Sequence, residues 1–201
     1  MEGTNPVNKK LAAALSGGAV LVMALSACSS DDGNEKLDAW AKQVCDAVPA
    51  QNTKITAAYA AITKAAKDTT STPENLQKTD SQAFQDLADG YKARATVLTE
   101  AGAPPDIEDG AKKQQDAVKK LTALSASYAD LKKQIDALST KDQGKFASGL
   151  DDISTEMEKV EQQRKTAFDS LKQLEKGDAK QALTKQTGCQ KASASAPATD
   201  S

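Results

Sequence analysis

The sequence predicts an all-α fold, an antiparallel four-helix bundle followed by one short C-terminal helix. Two observations carry this. Apolar residues recur at three- and four-residue spacings through four long segments, and no segment alternates β-branched or aromatic residues with polar ones as a half-buried strand does. Short stretches of turn residues separate the segments, so each helix must fold back on the one before it.

The first stripe is Leu37, Trp40, Ala41, Val44 and Val48; Pro49 interrupts it, and Ile55, Ala58, Tyr59, Ile62 and Ala66 resume it. Proline has no amide hydrogen and its ring crowds the preceding turn, so helix A is expected over about 36–67 in two pieces. A polar loop follows, and Pro73 suits the first position of a short helical turn ending at Leu76. Helix B is expected to begin near Thr79, because Thr79 and Gln82 have capping-box spacing. It carries Phe84, Leu87, Tyr91, Ala95 and Leu98 to a glycine cap at Gly102.

Ala103-Pro104-Pro105 reverses the chain. Asp106, Glu108 and Asp109 are expected in the first turn of helix C, where the helix dipole favours negative charge. Its stripe is Ile107, Ala111, Val118, Leu121, Leu124, Tyr128, Leu131, Ile135 and Leu138, supported by the pairs Glu108–Lys112, Asp109–Lys113 and Asp116–Lys120. Thr140 and Gln143 repeat the capping spacing. Helix D then sets Phe146, Leu150, Ile153, Met157, Val160, Ala167, Leu171 and Leu174 on one face and ends at Gly177. A short helix from Asp178 to about Thr187 precedes Cys189. The expected core includes Leu87, Tyr91, Leu121, Tyr128, Leu131, Ile153, Met157 and Val160, which only mutual packing can hide from water.

Ahead of the bundle, Lys9 and Lys10 precede an apolar run from Leu11 to Leu25 that closes on Leu25-Ser26-Ala27-Cys28. As a helix, that run would rise about 22 Å against a hydrocarbon core of about 30 Å. It therefore reads as an export signal rather than a permanent span. The closing four residues resemble the lipobox of bacterial lipoproteins: a Leu, a small or polar residue, an Ala or Gly, then Cys. This resemblance covers residues 1–28 and implies cleavage before Cys28, a diacylglyceryl thioether on its sulfur, and N-acylation. Two or more acyl chains make a stable anchor where one does not. Ordinary cleavage beside a plain cysteine, or an uncleaved anchor, is the alternative.

The lipobox reading divides the chain into a signal at 1–27, a lipidated cysteine and polar tether at 28–36, a bundle at 37–190 and a low-complexity tail at 191–201. It implies a membrane partner through the lipid anchor, at the outer face of the cytoplasmic membrane. In a two-membrane cell, Ser29 after the lipidated cysteine would instead imply the outer membrane. With Cys28 modified, Cys45 and Cys189 are the cysteines left, and in an oxidising compartment such a pair is expected as a disulfide tying the last helix to helix A. The composition, and the Trp40, Val44, Cys45 start with its distant Cys189, are similar to small lipoproteins and secreted proteins of actinobacteria. That likeness brings no particular activity.

Discounting Lys9, Lys10 and Glu2 leaves 24 basic and 27 acidic residues, a formal charge of −3. Such balance gives no pull toward nucleic acid, and none is expected as a partner. The chain has no histidine, which excludes Ser-His-Asp and Cys-His nucleophilic sites, His-ligated zinc or iron, and His-ligated haem. It has no phosphate-binding glycine loop. Asp151, Asp152 and Glu156, and Glu158 with Glu161, fall off the apolar stripe and read as solvated charge. No catalytic residue, metal or cofactor is expected.

What remains are side chains on or close to the apolar stripes that could turn a core into a site. Trp40, the only tryptophan, reads as core near Cys45 or as a stacking surface. Tyr59, Tyr91 and Tyr128 read as core with hydroxyls at the edge, or as the lining of a pocket. Arg94 and Arg164, the only arginines, read as stems packed along the bundle edge or as an anion site. The expected function is a binding or interaction module at the cell surface for an envelope protein or a small ligand. The alternatives are a small-ligand carrier with a cavity between helices, or a carboxylate-only cell-envelope enzyme, whose two acids would have to face each other across roughly 5–9.5 Å.

Overall fold

Six helices, with no strand among the described residues, make up the computed structural model, which describes residues 31–194 and the side chains of 35–191. They are α1 (Asp31–Lys67), α2 (Pro73–Ala101), α3 (Gly110–Ala137), α4 (Gln143–Leu174), α5 (Gly177–Lys185) and α6 (Thr187–Ala194). The run from Leu37 onward is one compact unit. Residues 1–30, with the apolar run, the lipobox and Cys28, lie outside the described residues, as do 195–201 of the tail.

The first four helices form an up-down-up-down bundle whose register is fixed by side chains reaching across neighbours. Gln77 Nε2 donates to the Leu138 carbonyl at 2.8 Å, Ser125 Oγ to the Ala88 carbonyl at 2.7 Å, and Gln114 Nε2 to the Leu98 carbonyl at 2.8 Å, so α2 and α3 run antiparallel. Ser127 meets Gln163 and Tyr128 meets Glu161 between α3 and α4. Trp40 Nε1 donates to the Gly102 carbonyl at 3.1 Å, joining the start of α1 to the end of α2. Midway along the same pair, Gly90 lets α1 close in: a Cβ there would stand 2.6 Å from Ile55 Cγ1.

The core follows the sequence stripes. Leu87, Tyr91, Leu121, Tyr128 and Leu131 are fully buried, and Ile153 and Val160 nearly so. Met157 is only half-buried and packs against the core's margin. Ala111 is exposed and Ala117 takes the buried place, because α3 starts at Gly110 and the helical phase is set from there.

Several expected boundaries are corrected. Pro49 lies inside one continuous helix. Its missing N–H releases the carbonyl four residues earlier, that of Cys45. There α6 docks: Cys45 and Cys189 are joined by a disulfide with Cα atoms 4.9 Å apart, and a Cβ on Gly188 would lie 2.1 Å from the Cys45 oxygen. A tertiary tie thus covers the carbonyl that proline exposes and holds the helix through the break. The backbone of α1 also starts at Asp31, inside the segment read as a tether.

The capping boxes are not used. The second helix begins at Pro73 with Thr72 as its cap and runs straight through Thr79; the fourth is capped by Asp142, whose side chain accepts from the Lys145 amide at 3.1 Å, and not by Thr140. Asp106 and Asp109 sit in a tight turn with φ of 57° and 55°, before the helix rather than in its first turn. Of the three expected pairs only Asp116–Lys120, at 2.8 Å, is an ion pair, and Lys113 bonds the Glu108 carbonyl. Finally, the single short terminal helix is two, α5 and α6, with Cys189 inside the second.

Candidate functional site

The stripe positions of α1, α2, α3 and α4 bring the three tyrosines to one level of the bundle. The Tyr59 hydroxyl lies 2.5 Å from that of Tyr128 and 3.3 Å from that of Tyr91. The rings of Tyr91 and Tyr128 stack with centroids 5.6 Å apart, and Tyr59 meets Tyr128 edge-on at 6.4 Å. Glu161 closes the cluster: its Oε1 is 3.3 Å from both the Tyr59 and Tyr128 hydroxyls, and its Oε2 accepts from Arg164 Nε at 2.6 Å. Burial pushes all three phenols above their ordinary pKa. They are neutral donors and acceptors at physiological pH, and the one carboxylate among them is matched by the one guanidinium.

Glu161 is therefore not the solvated charge that its sequence position indicated. It stands beside Val160, one residue off the stripe, at the rim where a side chain can still turn inward. The other acids singled out are solvated: Asp151, Asp152 and Glu158 are exposed, and Glu156 pairs with Lys159 at 2.7 Å.

Toward the disulfide end, the phenyl ring of Phe168 on α4 lies between the two arginines. Arg164 stands over Tyr59 and Phe168, with its guanidinium carbon 5.6 and 5.8 Å from the ring centres; Arg94 stands over Tyr91 and Phe168 at 5.9 and 5.7 Å. Geometry toward the rings is nearly the same, but the charge balance differs. Burial opposes the charge of Arg164, yet its hydrogen bond to Glu161 and the nearby tyrosines outweigh that and hold its pKa up. For Arg94, burial wins and the pKa is pulled down. Arg94 makes no ion pair with any described residue; its Nη2 donates to the amide oxygen of Asn52, and its buried Nε has no partner.

Arg94 lines a groove of about 1030 Å³ bounded by α1, α2, α4 and the strap formed by α5 and α6. Its wall is apolar, with Trp40, Val44, Val97, Leu98, Leu171 and Leu183 among the lining residues. Lys172, Lys176 and Lys180 also line it, and Glu175 is its one carboxylate. Trp40 is buried with its indole N–H already bonded to Gly102, so the ring contributes a face rather than a donor.

The structure thus brings Tyr59, Tyr91, Tyr128 and Arg164 into a closed polar cluster, and Arg94 and Trp40 into the groove beside it. Sequence reasoning missed Phe168, Asn52 and the three lysines. Phe168 is one residue past Ala167 of the stripe, and only the mutual rotation of α2 and α4 makes it the partition between two guanidinium groups. Among the described residues no group of three or more Cys, Asp or Glu side chains is arranged to hold a metal ion, and no helix is long and apolar enough to cross a membrane. No family model matches the chain, and no curated protein or solved structure matches it.

Proposed function

We propose that this chain is an extracytoplasmic lipoprotein, cut before Cys28 and lipidated on it, whose helical bundle is a non-catalytic binding module that takes a small ligand in the groove beside Arg94. The observation that carries the binding reading is a desolvated guanidinium without a carboxylate partner in the wall of an apolar groove of about 1030 Å³. Ligand sites are typically mostly apolar clefts of roughly 300–1,000 Å³ with a few converging polar groups. The Cys45–Cys189 disulfide supports an oxidising compartment. A carboxylate-only enzyme draws no support, since Glu175 alone among acids lines the groove and glycoside hydrolysis asks for two. The groove favours a small ligand over an envelope protein because its volume matches that of a small-molecule cleft.

Attachment is tested by metabolic labelling with a palmitate analogue. The wild-type chain incorporates label and remains with membranes; Cys28→Ala abolishes incorporation and releases the protein. Unchanged labelling of that variant contradicts the anchor.

A further inference from the structure

We infer that the groove takes a long-chain carboxylate, a fatty acid, with its headgroup on Arg94 and its tail along the Trp40, Val44, Leu98 and Leu183 wall. This rests on the binding reading above and names the ligand class for the same groove.

Three observations specify that chemistry. First, Arg94 makes no ion pair with a described residue, Glu175 on the same groove acting on it only through the longer-range field, and its buried Nε–H is an unused donor. An uncompensated buried charge is costly, and a ligand anion removes that cost while accepting the free hydrogen bond. Planar guanidinium groups match carboxylates in particular, since two parallel N–H donors face two oxygens. Second, the lining cations Arg94, Lys172, Lys176 and Lys180 face one acid, Glu175. Lys172 is also 3.5 Å from Asp169, which leaves the groove's field positive still. Third, the remaining wall is mainly aliphatic and aromatic, with Gln51, Asn52, Thr184 and Gln190 its polar side chains, which favours an apolar chain for the rest of the ligand over a sugar. The anion sits against Arg94, whose guanidinium the Phe168 and Tyr91 rings back.

Trp40 is the only tryptophan and lines the groove, so its fluorescence reports occupancy directly. The probe is a brominated palmitate, whose bromine quenches a neighbouring indole on contact. It is titrated into the full chain carrying Cys28→Ala, which removes the acyl attachment and keeps every groove residue. Brominated palmitate should quench saturably. Unbrominated palmitate should compete, and hexadecanol should compete about tenfold or more weakly, the difference expected for losing a charge-assisted hydrogen bond. Arg94→Met should reduce the affinity for palmitate to that for hexadecanol without lowering the unfolding midpoint.

Equal competition by palmitate and hexadecanol, or an Arg94→Met variant that binds palmitate as well as the parent, overturns the headgroup assignment while a binding groove stands. Tighter competition by hexadecyl phosphate than by palmitate overturns the carboxylate in favour of a phosphate-bearing lipid. Absence of quenching by any chain overturns the fatty-acid inference. The palmitate-labelling result at Cys28 is independent of all three.

Discussion

Arg164 and Arg94 both approach one phenylalanine ring at almost equal distances, yet their charges are stabilised differently: the Arg164 pKa is raised and that of Arg94 lowered. Arg164 is held by Glu161, which also receives two tyrosine hydroxyls, so that level of the bundle is internally satisfied. Arg94 has two aromatic faces and one amide oxygen, but no ion pair with a described carboxylate; Glu175 acts on it only at longer range. Position on an apolar stripe decides that a side chain points inward. The neighbour that meets it there decides whether it closes the core or waits for a ligand. The closed level is structural; the open one is where we propose that a ligand binds.

The largest expected effect breaks the closed level. Tyr128 is fully buried and joins the ring stack to the hydroxyl cluster, so Tyr128→Ala should cost roughly 3–5 kcal/mol in urea-induced unfolding. A cost under about 1 kcal/mol would mean that the cluster is not a cooperative part of the core. Next comes the strap that bounds the open level. Replacing both Cys45 and Cys189 with Ala removes a bond closing a sequence separation of 144 residues. Stability should fall by about 2–5 kcal/mol. Because α5 and α6 form one wall of the groove, Trp40 emission should also shift to the red, whereas the Tyr128→Ala variant at matched folded fraction should leave it in place.

Asp80 is the acidic counterpart of Arg94, half-buried with one carboxylate oxygen lacking a partner. Burial pushes its pKa from 3.8 up to about 6. A carboxyl whose folded pKa exceeds its unfolded value favours folding only while it stays protonated, so its penalty grows as pH rises from about 4 to about 6 and is constant above that. After allowance for solvent screening at a partly exposed site, Asp80→Asn should gain about 1 kcal/mol at pH 7.5 and nothing at pH 3.5. Unfolding curves at the two pH values check this, and an equal gain at both would remove the charge from the explanation.

Most of the fold was legible because four apolar stripes at helical spacing leave no packing solution but a bundle. Local signals failed where tertiary context outvoted them. Thr79 with Gln82, and Thr140 with Gln143, have capping spacing, but a cap forms only where the backbone leaves the helix, and Leu76 and Phe84 hold a common helical face across Thr79. Pro49 is expected to divide α1, and α1 instead runs through it, with Gly188 packed against the Cys45 carbonyl and the disulfide to Cys189 beside the break. At the site, stripe membership marked the tyrosines and the tryptophan, and closeness to a stripe marked the two arginines. It could not tell Arg94 from Arg164, since the difference lies in Glu161, three residues from one and a helix away from the other.

The most direct measurement of that difference is the unfolding free energy of Arg94→Met set beside that of Arg164→Met, two swaps that keep a long stem and remove the charge. Arg164→Met leaves Glu161 without its partner at a half-exposed site and should lose about 0.5–1 kcal/mol. Arg94→Met removes a desolvated charge that makes no ion pair and should be neutral or stabilising by up to about 1 kcal/mol. A loss at Arg94 equal to or larger than that at Arg164 would contradict the account, since Arg94 would then be a satisfied part of the core and not a charge held open for a ligand.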